Sequence, residues 1–312
     1  MSGIAPLSPS TRAALRHYRL LARESVQPNP TGGQLMRRKG QSLEFREHLP
    51  YLPGDDIRFV DWRASARHGT KHDLLARSFV AEERMRLLLS LDPRATMALP
   101  EALPKLQFAL WIAEALLIVA GAEDELLLHW LFDRSPSPPR PLQSLGQLYG
   151  QRAVPAGLGE DAPVNLQHVR PFLPPTTVWV IVTDLYFDHS STAKSLAAAM
   201  VAATSGMCWV LLIELDSWTQ ERTLMGQEVW HIDHVASAPL GELVQLSDPN
   251  LQEVERRIAV HRAGFVGRTR LAAEDHLLWP LPAGPAPEAE HAFLSTFTSQ
   301  GRIQALFAKQ NV

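Results

Sequence analysis

The densest group of chemically capable side chains lies in the run Pro53-Gly54-Asp55-Asp56-Ile57-Arg58-Phe59-Val60-Asp61-Trp62-Arg63-Ala64-Ser65-Ala66-Arg67. From Asp55 onward, three acids share this short stretch with three arginines. Two kinds of chemistry are open to such a group. Carboxylates set close together can serve a hydrolase as general acid and base, or hold a metal. Arginine's planar fork can instead grip each carboxylate bidentately, which turns the same residues into an ordered ion-pair lattice. Asp55, Asp56 and Asp61 each have Arg58, Arg63 or Arg67 close by, so the favoured reading is a structural clasp that pins the N-terminal segment onto the following domain. Pro53-Gly54 predicts a turn with positive φ at the glycine. After it, Ile57, Phe59 and Val60 are expected to point inward, with Trp62 as a core or interdomain anchor.

Other reactive residues give weaker signals. His68, His72 and Asp73 have a local spacing that could hold a metal, but the chain has 12 histidines and no further ligand is evident. Ser65 and Ser90 lack the GxSxG context of an activated nucleophile. No Walker A loop or GxGxxG fingerprint occurs, so the chain is not expected to be a nucleotide-driven motor. Cys208 lies within an apolar run and reads as inert packing.

The elements that must position these residues follow from hydrophobic patterning. Residues 12–24 read as an amphipathic helix with Ala13, Leu20 and Leu21 among its apolar positions. Gly32-Gly33 and Arg37-Arg38-Lys39 mark a loop. Residues 85–91 form a short apolar run ending at Asp92, which reads as a buried parallel strand. A helix over 103–120 follows, stopped by Gly121. Strands are expected over 126–132, 178–182 (ending at Thr183-Asp184), 208–215 and 228–232. The proline-rich stretch 135–141 predicts a surface loop. Helices are expected over 251–276 and 288–310, with Trp279-Pro280-Leu281-Pro282 as a docking turn. Alternating strands and helices with continuously apolar strands predict an α/β fold with a doubly wound, mostly parallel sheet. The expected organisation is residues 1–82 as helix and clasp segment, and 83–312 as the α/β domain with C-terminal helices. In such sheets ligands bind outside the carboxyl ends of the strands. Asp92 and Asp184 both fall at such ends.

Composition bounds the function. The 312 residues are 46% hydrophobic, which excludes wholesale disorder, and the formal net charge of −3 argues against a polybasic binder of nucleic acid. The single cysteine excludes an intramolecular disulfide framework and any CxxC metal site. The first 25 residues carry no apolar core typical of a secretory signal, and a cytoplasmic setting is expected. The uncharged run 195–213 approaches the ~20 residues of a membrane span. Its small residues and its break at Ser205-Gly206 split it better into an Ala-rich helix and a buried strand.

The run around residue 60 also resembles a known family. Glu44-Phe45, Tyr51, Pro53-Gly54-Asp55-Asp56, Arg58, Asp61-Trp62 and Ser65-Ala66-Arg67 look like the signature of the bacterial domain-of-unknown-function 58 family. The likeness continues through Phe79 and Glu83 to Asp92, and more weakly through Thr183-Asp184 to the C-terminus. Leu49 departs from the pattern, where the family often has arginine. Members are similar to von Willebrand factor A domains, which can hold Mg²⁺ through an Asp-x-Ser-x-Ser loop, a threonine and a late aspartate. The resemblance places Asp92-Pro93-Arg94-Ala95-Thr96 at the first loop and Asp184 at the late aspartate, with no residue assigned to the middle threonine.

Arg94 stands where that pattern has a serine. A guanidinium offers only donors and a fixed positive charge, so it cannot ligate Mg²⁺. If it points inward, it repels a divalent ion and can neutralise Asp92 and Asp184. If it points outward, a weak site of Asp92, Thr96 and Asp184 survives. The metal-free, degenerate site is favoured. The resemblance implies a non-enzymatic adaptor that works with MoxR-type AAA+ ATPases, and with other von Willebrand A proteins as further candidates, in remodelling protein complexes. The alternatives are a Mg²⁺-dependent ligand-binding domain and a hydrolase using Asp55, Asp56 and Asp61.

Overall fold

The structure is a computed structural model. It describes residues 4–20, 44–51, 57, 60–67, 74–80, 86–100, 103–120, 124–131, 137–150, 168–175, 177–187, 192–225, 230–232, 242–244, 248–282 and 286–309. In chain order the first elements are α1 (Pro9–Leu15), β1 (Tyr18–Leu20), β2 (Glu44–Pro50), α2 (Trp62–Arg67) and β3 (Leu75–Val80). Next come β4 (Arg86–Leu91), α3 (Lys105–Val119), β5 (Glu125–Trp130), β6 (Arg140–Pro141), α4 (Leu145–Gly150) and β7 (Val178–Thr183). Then follow α5 (Thr192–Ser205), β8 (Trp209–Asp216), α6 (Trp218–Met225), β9 (Trp230–Ile232) and β10 (Glu242–Val244). The last are α7 (Asp248–Thr269), β11 (His276–Pro280), α8 (Ala286–Ser299), α9 (Gly301–Gln304) and β12 (Phe307–Lys309). Two compact units result: residues 1–28 with 85–312, and residues 29–84.

In the larger unit six strands form one sheet in the order β11-β8-β7-β4-β5-β6. All neighbours are parallel except the short edge strand β6, which runs antiparallel to β5. Side chains of a strand alternate between faces, and here both faces are apolar. Leu87, Leu89, Leu91, Val178, Val180 and Val182 join one core with Phe108, Ile112 and Leu116 of α3 and Phe293 of α8. Leu88, Trp179, Ile181, Val210 and Leu212 join a second core with Leu196 and Met200 of α5 and Phe265 of α7. Continuous apolar strands therefore mean a sheet covered on both sides, and the doubly wound, mostly parallel α/β expectation holds.

The strand order also locates a switch point. From β4 the chain crosses to β5 on one side, and later returns to β7 on the other. Ligand crevices of open α/β sheets form where the order reverses, outside the carboxyl ends. The β4–β7 register pairs Leu91 with Val182, so Asp92 and Asp184 leave the sheet side by side at that point.

Several expected elements are corrected. The first helix starts earlier and is shorter, Pro9–Leu15: Ser8 caps it with Pro9 in its first turn, and it ends before the strand Tyr18–Leu20. Its buried positions are Thr11 and Leu15, while Ala13 is exposed. Tyr18–Leu20 instead pairs antiparallel with Phe307–Lys309, and this cuts short the helix expected to run to residue 310. Residues 1–28 group with the larger unit, not with the segment that follows them. Within the expected proline-rich loop, Arg140 and Pro141 form the edge strand β6, a position that tolerates proline because one side needs no donor. Residues 276–280, read as a helix end and a docking turn, are strand β11 parallel to β8. Trp279 is buried there and stacks on Phe293 at 5.6 Å. Residues 230–232 pair with 242–244 outside the main sheet. Helix α3 ends at Val119, followed by Ala120 in an extended conformation, and Gly121 lies outside the described residues.

The uncharged run 195–213 divides between α5 and β8, as its break at Ser205-Gly206 predicts. Among the described residues no helix is long and apolar enough to cross a membrane.

Candidate functional site

The loops that leave β4 and β7 hold a closed polar network. Asp92 continues the β4 ladder by donating its N–H to the carbonyl of Val182 at 3.1 Å. Its carboxylate accepts from the Arg94 backbone N–H at 3.0 Å, and from Nε and Nη2 of the same side chain at 3.0 and 2.6 Å. Thr183 Oγ1 donates to Asp92 Oδ2 at 2.7 Å. Arg94 then reaches across the switch point: Nη2 donates to Asp184 Oδ1 at 2.9 Å and Nη1 to the carbonyl of Tyr186 at 2.7 Å. The guanidinium lies 5.2 Å from the centroid of the Phe187 ring, within cation–π range.

A second cation closes the other side. Lys105, from the first turn of α3, places Nζ 3.0 Å from Asp184 Oδ2 and 3.1 Å from Glu221 Oε1 of α6. It also sits 4.4 Å from the centroid of the Tyr186 ring. Asp92, Arg94, Lys105 and Asp184 are between 0 and 4% exposed. Burial pushes the Asp184 carboxyl up, but Lys105, Arg94 and the Tyr186 N–H outweigh it and hold the group below the ordinary carboxylate range. The Tyr186 phenol is pushed up by burial and by the nearby carboxylates of Glu221 and Asp184.

The network answers the question posed by Arg94. Its side chain points inward and bridges the two aspartates. Mg²⁺ needs oxygen ligands at ~2.1 Å in an octahedron. Here the oxygens of Asp92 and Asp184 already meet a guanidinium, an ammonium and a hydroxyl, and a fixed cation occupies the gap between them. The residues present do not fit a Mg²⁺ centre. Thr96, expected at this rim, makes no bond to either aspartate, and its buried hydroxyl has no hydrogen-bond partner. Among the described residues no group of three or more His, Cys, Asp or Glu side chains is arranged to hold a metal.

Lys105, Tyr186 and Glu221 escaped the sequence reading, and Thr183 was noted there only as the end of a strand. One signal for Lys105 was available: a lone cation opening an otherwise apolar helix needs a partner when buried.

A further polar chain crosses the second core. Ser90 Oγ accepts from the Trp179 indole N–H at 2.8 Å and lies 3.1 Å from His129 Nδ1. His129 Nε2 lies 3.2 Å from His168 Nε2. Burial, with a contribution from His168, lowers the His129 pKa from 6.5 to about 3, so this histidine is neutral. Ser90 is fully buried within the strand, which excludes it as an exposed nucleophile. Cys208 is likewise buried, and burial raises its thiol pKa, consistent with inert packing.

In the unit 29–84 the signature residues have a structural explanation where they are described. Asp61 caps α2: its Oδ1 accepts from the N–H groups of Arg63 and Ala64, each at 3.0 Å. Its Oδ2 lies 3.2 Å from His48 Nε2. Ser65 Oγ donates to the Asp61 carbonyl at 2.7 Å and accepts from the Leu75 N–H at 2.8 Å, tying α2 to β3. The Tyr51 N–H donates to the Leu74 carbonyl at 2.6 Å. Arg67 closes the last turn of α2. Val60 is buried as expected, but Ile57 is 59% and Trp62 60% exposed, so neither is a core residue. Pro53, Gly54, Asp55, Asp56, Arg58 and Phe59, and the candidate metal residues His68, His72 and Asp73, lie outside the described residues.

Comparison with known proteins follows this geometry. No curated protein matches the chain. Among solved structures it is similar to the conserved hypothetical protein BatB from Bacteroides thetaiotaomicron, at 10% identity over 70% of this chain and 99% of that chain, with a TM-score of 0.38. The fold assignment rests on the sheet itself and not on that likeness. Residues 47–203 match the family described as "Protein of unknown function DUF58", a span that holds the signature from Tyr51 onward, β4, β7 and Asp92, Arg94, Lys105 and Asp184 of the network. With half of its length inside that match, the chain belongs to the DUF58 family.

Proposed function

We propose that this chain is a non-enzymatic, cytoplasmic protein-binding module with a von Willebrand A-like rim in which Arg94 stands in for the metal ion, and that it works as an adaptor for a MoxR-type AAA+ ATPase. The observation that carries this reading is the Arg94 guanidinium bridging Asp92 and Asp184 at the switch point of the sheet. A metal-dependent domain borrows its cation from solution and completes the ion's shell with its partner. A guanidinium held by two carboxylates needs neither. It keeps the loops after β4 and β7 in one conformation at all times.

The network is sealed, so a partner meets its shell and not its charges. Leu99, at the end of the short turn Ala95–Ala98 after β4, is 49% exposed and is a large apolar side chain that this loop offers. The partner class is supported by the signature at residues 43–92 and by its resemblance to proteins that accompany such ATPases.

Co-purification of the full chain with a MoxR-type AAA+ ATPase tests the reading. Association at ~10 µM is expected, weakened by Leu99→Asp. Absence of any association at that concentration overturns the adaptor role. Calorimetric titration with Mg²⁺ and Mn²⁺ is expected to be silent. Measurable binding that Asp92→Ala abolishes would instead establish the metal-dependent alternative.

A further inference from the structure

Residues 4–8 lie extended against α3 and α8, and they are held as a bound peptide is held. Gln107 clamps Ala5 by both of its backbone groups: Oε1 accepts the Ala5 N–H at 2.8 Å, and Nε2 donates to the Ala5 carbonyl at 2.7 Å. The Trp111 indole N–H donates to the same carbonyl at 3.0 Å. Glu114 Oε2 accepts the Leu7 N–H at 3.0 Å, and Glu290 of α8 accepts the Ser8 N–H at 2.8 Å. Glu290 also accepts from the Ser8 hydroxyl. From residue 5 to residue 8, then, every backbone N–H goes to a side chain of these two helices. Proline, which has none, occupies the remaining position, and Pro6 is exposed. Besides the Ser8 hydroxyl, two apolar side chains enter the recognition. Leu7 is 2% exposed within the core, and Ile4 packs partly against it.

The donors and acceptors come from one designed-looking surface. Gln107, Trp111 and Glu114 stand one and two turns apart on the same face of α3. Glu114 is fully buried and also accepts from Arg12 Nε and, at 2.5 Å, from Tyr149 Oη, so its geometry is set from outside the segment too. Side chains that bind main-chain groups, with a pocket for one apolar residue, are how peptide grooves combine sequence-tolerant affinity with a specific anchor.

We propose that the α3–α8 face is a peptide-binding groove, occupied in cis by Ile4–Ser8, which takes in trans an extended peptide of the pattern apolar, any, any, leucine, serine. The cis segment competes at the high effective concentration of a tethered ligand, so it acts as a built-in inhibitor of the groove. The inference is independent of the rim and of its partner.

The test uses the full chain. Leu7→Asp removes the anchor and should free the groove. A fluorescent peptide spanning residues 3–13 is then expected to bind this variant at least ~10-fold more tightly than wild type. Adding Gln107→Ala to Leu7→Asp should weaken the peptide ~10-fold through the two lost hydrogen bonds. A folded Leu7→Asp protein that ignores the peptide up to ~1 mM overturns the proposal. If Leu7→Asp does not fold, hydrogen exchange of wild type decides. Excess peptide should accelerate exchange of the Ala5, Leu7 and Ser8 amides while leaving β7 protected. Unchanged protection of those three amides at ~1 mM peptide likewise overturns it.

Discussion

Helix α3 carries two buried charges, and the structure uses them in opposite ways. Lys105, in its first turn, meets other charges: Asp184, Glu221 and, through Asp184, Arg94 and Asp92. Glu114, further along, meets the N–H of Leu7 together with Arg12 and Tyr149. The first network is closed on itself, since its central groups bring their counter-charges with them into the interior. The second is half intramolecular scaffold and half recognition of a stretch of main chain. A charge that faces charges makes a loop rigid. A charge that faces backbone N–H groups makes a seat for a chain.

The largest expected effect tests the closed network. Arg94→Ala strips the bridging cation from two buried carboxylates and is expected to cost about 3–5 kcal/mol, read by urea denaturation. A loss below about 1 kcal/mol would mean that water reaches the aspartates and that the network is not sealed. Glu114→Ala leaves α3 intact but removes the acceptor for Leu7 and the partner of Arg12. A loss of about 2 kcal/mol is expected, with faster amide exchange confined to residues 5–8. Exchange that spread into β4 and β7 would join the two networks into one.

Acid separates them further. The Asp184 carboxyl titrates below its ordinary value in the folded chain, so between the two values the unfolded chain binds the proton and the native state does not. Its contribution is complete above about pH 4 and declines as the pH falls below that. Asp184→Asn should therefore flatten the acid limb of stability in that window; an unaltered limb would place the acid sensitivity elsewhere. The smallest effect is expected from Leu99→Asp. It changes an exposed side chain and should alter stability by less than about 0.5 kcal/mol while weakening the ATPase partner. A larger stability loss would mark Leu99 as part of the support for the Arg94 loop.

Much of the fold was legible in the sequence. The runs at 86–91, 178–183 and 209–216 contain so few polar residues that only a sheet covered on both faces could hold them. The two aspartates at strand ends were visible for the same reason, since each marks where an apolar run stops. Strand β11 was not legible. It is short, follows a long helix closely and ends in proline, and its identity depends on β8 offering a free edge beside it. The pairing of Tyr18–Leu20 with Phe307–Lys309 was hidden too, because nothing local links residues so far apart in the chain.

The candidate site divides in the same way. The type and position of Arg94 were enough to state that it cannot ligate Mg²⁺. Whether it turned inward depended on Asp184, Tyr186 and Phe187 converging on it from the loop after β7. Lys105 stands out in sequence only as a lone cation on an apolar helix and Gln107 not at all, and their roles exist only because the loop after β7, α6 and residues 4–8 come to them. Asp61 reads in sequence as one member of an ion-pair lattice, and the fold adds a role that a pattern of charges does not reveal, the cap of α2.

What the chain determined by itself was its periodicity: which segments must be buried, on how many sides, and where each must end, because those follow from the apolar content of consecutive residues. The tertiary structure alone decided which polar groups would share the interior. That choice belongs to distance, and a charge is stable inside a protein only next to partners that the chain delivers from elsewhere.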